Sequence, residues 1–90
     1  MQNIPYNECY RPASLLDREN LILSSGTVCL DTVKCQAEFF PSETENGDTL
    51  LKRASILRMK DGPPYAIQSI VPCPVTGKGV HYEIEIAPTS

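Results

Sequence analysis

The chain has no tryptophan, a single histidine and only 7% aromatic residues. Its core must therefore rest on Ile, Leu and Val. No unbroken apolar run approaches the ~20 residues that a membrane-spanning helix requires. No signal peptide is visible, because Met1 is followed by polar Gln2 and Asn3 and not by a basic start and an apolar stretch. These absences predict a soluble chain, intracellular when it folds, with no membrane partner. Basic charge is scarce too. Eight Lys and Arg stand against eleven Asp and Glu, for a formal net charge of −3. That argues against a nucleic-acid binder, which carries a basic patch. The local cluster Lys52, Arg53, Arg58 and Lys60 reads as a solvated face. The acidic excess is also too mild for a mimic of DNA.

Four cysteines are present, Cys9, Cys29, Cys35 and Cys73, and no two form a C-x-x-C pair. The usual zinc knuckle is therefore missing. A metal site gathered from distant positions is an alternative. The simpler reading is four reduced thiols acting as small hydrophobes in strands. We therefore expect no metal and no cofactor. Catalysis by a nucleophile needs a base held beside it. His81 is the one histidine, and Cys29, Cys35 and Cys73 are the thiols that could approach it. A lone histidine on the wet face of a strand reads as a surface residue. No catalytic residue is assigned, and the chain is not expected to be an enzyme.

What the sequence does contain is strand pattern and turn chemistry. Ninety residues, 41% of them hydrophobic, make one folded domain with a thin stability margin. Residues 1–19 differ from the rest. Pro5 and Pro12 limit regular structure, and Tyr6, Tyr10, Leu15 and Leu16 are apolar anchors without a period. This stretch reads as an extended N-terminal arm, with Pro12 suited to open one helical turn. Residues 20–90 read as a single β-barrel domain. Leu21–Leu23 is a short apolar run that Ser24-Ser25-Gly26 should end in a turn. Val28 and Leu30 share one parity, whereas Val33, Cys35, Ala37 and Phe39 share the other. A break near Asp31-Thr32 is therefore required. The strand resumes and ends at Pro41, and residues 41–48 form a long loop bearing Glu43, Glu45 and Asp48.

Residues 48–62 are ambiguous. Leu50, Leu51, Ala54 and Leu57 share one helical face, and Asp48 and Gly62 would suit its ends. The flanks favour strand. Tyr65, Ile67 and Val71 alternate, interrupted at Ser69. Val80, Tyr82, Ile84 and Ile86 alternate inward against outward His81, Glu83 and Glu85. Two strands are marginal alone, and the run Ser55–Met59 before Asp61-Gly62 supplies a third. The reading is a hairpin at Asp61-Gly62, its turn held by Pro63 and Pro64.

The stretch from Leu51 to Ala87 resembles the closing β-meander of tailed-phage head–tail joining proteins, the head-completion or stopper group. The residues concerned are Ile56–Met59, the Asp61-Gly62 turn, Tyr65-Ala66-Ile67 through Val71, the loop Thr76-Gly77-Lys78-Gly79, and Val80–Ile86. Upstream, residues 33–43 resemble the strand that leads into that family's long loop. The resemblance implies an all-β fold, a small antiparallel β-barrel. It implies a structural virion protein, assembled in the host cytoplasm, whose copies form a homo-oligomeric ring between portal or adaptor and tail proteins. DNA would pass through the channel without specific binding. Glu43, Glu45 and Asp48 on the loop, and Tyr6 and Tyr10 on the arm, are then the expected partner contacts. A second reading of the same size and charge is a small phage-encoded inhibitor or interaction module acting on a host protein.

Overall fold

The computed structural model describes residues 8–42, 51, 53–74 and 80–89. Six strands run through them: β1 Glu8–Leu16, β2 Ile22–Asp31, β3 Gln36–Pro41, β4 Ile56–Met59, β5 Pro64–Pro74 and β6 Val80–Pro88. They close into an antiparallel barrel in the order β1-β2-β3-β6-β5-β4, with β4 pairing back onto β1. The all-β barrel expected from the sequence is the fold observed. It consists of two three-stranded meanders joined along two seams, β3–β6 and β1–β4. Among the described residues no helix is long and apolar enough to cross a membrane.

The period-2 alternation that marks strands also fills the barrel. Val28, Phe39 and Tyr82 face inward in one row, with Leu30, Ala37 and Ile84 in the next. Leu15 and Leu57 meet across the β1–β4 seam, with Ala13 opposite Met59. Small Ala13 and Ala37 share this core with the rings of Phe39 and Tyr82. An eight-stranded barrel is just filled by side chains, so six strands leave no bore for a ligand. Whatever this protein recognises must sit on its outer wall or its rims.

Several local expectations are corrected. Most of the 1–19 arm is barrel wall. Glu8–Leu16 pairs with β2 on one side and β4 on the other, and Pro12 lies in this strand, not in a helical turn. Pro12 donates nothing, but its carbonyl accepts the Lys60 N–H at 3.1 Å. Ser24-Ser25-Gly26 is not a turn but the middle of β2. The glycine is there because β3 passes very close. A Cβ on Gly26 would lie 2.7 Å from Pro41 Cα and nearer still to the Phe40 carbonyl. Val71 does not face inward. A bulge between Ile67 and Ser69 shifts the parity of β5, so Ile70 packs on the core and Val71 is exposed. The ambiguous segment 49–60 divides. Leu51 and Arg53 have helical backbone, whereas Ile56–Met59 is strand β4. The turn at Asp61-Gly62 is as expected, with Gly62 N–H donating to Met59 O at 3.3 Å.

The strands alternate in direction, so the chain leaves β1, β3 and β5 at one rim. The turns at 32–35 and 60–63 close the other. In the strand order, β3 and β4 stand three places apart either way round. The connection of residues 42–55 therefore links strands on opposite sides of the barrel.

Gly26→Ala is expected to cost about 1–3 kcal/mol, because the added methyl meets backbone that cannot rotate away. Val33→Ala, on the exposed 32–35 turn, should stay within about 0.5 kcal/mol of wild type. Urea unfolding followed by circular dichroism measures both. A Gly26→Ala chain as stable as wild type would contradict the close strand approach.

Candidate functional site

Two places on the outside of the barrel gather polar chemistry. The first is the rim where β1 ends. Asp17 is buried there, and its Oδ1 accepts the N–H groups of Glu19 at 2.8 Å and Leu21 at 2.9 Å. Its Oδ2 takes a charged hydrogen bond from Arg53 at 3.2 Å. The Ser55 N–H donates to Leu16 O at 2.8 Å, and Leu51 and Ala54 pack on the core. The returning limb of the 42–55 connection is thus clamped to the β1–β2 turn. Beside the clamp, Leu21 and Ile22 remain exposed, at 54% and 66%. The Leu21 N–H does most to hold the Asp17 carboxyl below its ordinary value. Burial opposes this, and Glu19 and Arg53 reinforce it.

The second place is the outer face of β3, β6 and β5. Cys73 and His81 are direct cross-strand partners, and Glu83 stands opposite Val71 on the same face. A ligating atom of each of Cys73, His81 and Glu83 lies within 4.8 Å of the others. Glu38 on β3 is directly across from Glu83. The His81 ring stacks on Phe40, with centroids 5.0 Å apart and planes 19° from parallel. His81 Nδ1 is shielded from solvent and has no hydrogen-bond partner in the structure. Burial pushes the Cys73 thiol up from its ordinary value, and the neighbouring Glu83 carboxylate pushes it further.

Of the residues expected to contact partners, Glu43, Glu45, Asp48 and Tyr6 lie outside the described residues. Tyr10 is described, and it is 71% exposed. It has a left-handed backbone, φ 61°, in a bulge where Cys9 and Tyr10 together oppose the single residue Cys29. Cys29 raises the Tyr10 phenol from its ordinary value by charge repulsion and a side-chain hydrogen bond. Tyr10 is therefore barrel wall with an exposed ring, and not part of a detached arm. None of the four thiols is in a disulfide. Three lie in strands, as expected. Cys35 instead closes the exposed 32–35 turn with φ 60°.

The Cys73, His81 and Glu83 cluster was not found from sequence. Its signal was present: Cys73 and His81 are equally spaced about Gly77, so a hairpin through that loop sets them face to face. No family model, curated protein or solved structure matches the chain.

Asp17 has a lowered value in the folded state, so its contribution to stability is present above the unfolded value, near pH 4, and is lost as pH falls through the folded one. Asp17→Asn should therefore lower the urea midpoint at pH 7, with the gap to wild type narrowing below about pH 4. Equal midpoints at pH 7 would contradict the clamp. Thiol labelling of the native chain, read by peptide mass spectrometry, should modify Cys35 first and Cys73 more slowly. Cys29, only 2% exposed, should react only on unfolding.

Proposed function

We propose that this chain is a structural assembly protein, a ring-forming subunit of a tailed-phage head-to-tail connector between portal and tail. The observation that carries this reading is the meander β4–β5–β6. It stands at the residues that resemble the family, in the same order of strand, Asp-Gly turn, Tyr65 strand and final alternating strand. The connection before it, residues 42–55, is the longest between successive strands. Its last residues are clamped to the barrel by Arg53 on Asp17.

The same rim offers exposed Leu21 and Ile22 for burial against a neighbour. Small domains of this size often gain stability by oligomerising. In this reading DNA passes through the opening of the ring and not through the barrel, whose interior is filled. Glu43, Glu45 and Asp48 on the connection, with the net negative charge, repel phosphate and let DNA slide. Tyr10 and the long connection meet portal, adaptor or tail partners in the virion.

Sedimentation velocity tests the reading on the chain crowded alone and mixed with a portal-type protein. A shift to ring-sized species is expected. A monomer under both conditions overturns the proposal, as does proteomics of purified virions that lacks the chain. Leu21→Asp combined with Ile22→Asp should weaken ring formation by roughly tenfold or more, while the thermal melt of the chain moves little.

A further inference from the structure

We propose that Cys73, His81 and Glu83 form a transition-metal site, with Zn²⁺ as the ion that their donor set fits best. One thiol, one imidazole and one carboxylate give the mixed sulfur, nitrogen and oxygen set that suits zinc. Calcium and magnesium take oxygen ligands throughout, and iron–sulfur clusters are held mainly by several cysteines. Three protein ligands leave a fourth position for water or for a group from elsewhere.

The geometry is close to what coordination needs. Tetrahedral zinc at its usual bond lengths places ligand atoms about 3.3–3.6 Å from one another. The three donor atoms here lie within 4.8 Å of one another. The remaining contraction, at most about 1.5 Å, is within reach of side-chain rotation on fixed strands. The strands themselves hold the frame. Cys73 and His81 are paired across the ladder, and Glu83 is two residues further along the same face.

Two features are costly without a cation and are relieved by one. Glu38 and Glu83 face each other directly on neighbouring strands, a pairing of like charges that destabilises a sheet. A divalent ion beside Glu83 offsets that repulsion. His81 has a ring nitrogen shielded from solvent and unpartnered, and such groups in folded proteins call for an explanation. Ligation through that nitrogen would supply one. Stacking on Phe40 already fixes the plane of the imidazole, so binding orders one side chain fewer.

Cobalt titration of the reduced full-length chain tests the site, since a cobalt–thiolate bond gives a charge-transfer band in the near ultraviolet. Calorimetry with Zn²⁺ alone gives affinity and stoichiometry. We expect one ion per chain, a charge-transfer band that survives in Cys35→Ser, and loss of that band in Cys73→Ser. Glu83 is exposed, so Glu83→Gln should fold normally and weaken Zn²⁺ binding by roughly tenfold or more. Zn²⁺ should also raise the melting temperature of wild type. The proposal is overturned if wild type shows no band, if the band persists in Cys73→Ser, or if Glu83→Gln binds Zn²⁺ as tightly as wild type.

Discussion

The seam between β1 and β4 is the constraint on which the rest of this structure depends. Without it the molecule is two meanders, each exposing a strand edge with unpaired N–H and C=O groups. Four cross-strand pairs, from Ala13 with Met59 to Leu16 with Ile56, remove both edges. Leu15 and Leu57, both fully buried, are sealed by that closure. The Ser55–Leu16 and Lys60–Pro12 hydrogen bonds extend the ladder beyond the strands at each end. The partners are about forty residues apart in sequence, so this seam carries a large loop-closure entropy. Folding rates fall when contacts are this distant.

Much of the barrel was legible in the sequence because burial on one face imposes strict alternation. Tyr82, Ile84 and Ile86 against His81, Glu83 and Glu85 leave β6 with one register. The parity break at Asp31 was legible for the same reason, and the Asp31 carboxylate caps that turn by accepting the Val33 and Lys34 N–H groups. What was not legible was tertiary. β1 looked like an arm because Pro12 and a bulge at Tyr10 obscure its period, and only pairing on both sides makes it a strand. Gly26 looked like a turn residue because close approach of a neighbouring strand leaves no local mark. The alternation of Tyr65, Ile67 and Val71 points Val71 inward, but one extra residue in β5 reverses every side chain after it.

The two outer features differ in how they depend on the fold. The rim clamp uses one carboxylate to join two things, the β1–β2 turn and the returning connection. Its charge is satisfied by Arg53, a residue that had read from sequence as part of a solvated basic cluster. The Cys73 and His81 face needs only the β5–β6 hairpin and the neighbouring β3. Spacing along the chain hides it, because a hairpin brings together what spacing separates.

Strand direction also decides where anything attached to this domain would emerge. Glu8 begins β1 and Pro88 ends β6, and both lie at the rim that carries the 32–35 and 60–63 turns. The clamped connection leaves from the opposite rim. A polypeptide that continues from either of these strand ends starts at that rim, on the far side of the barrel from the Asp17 clamp.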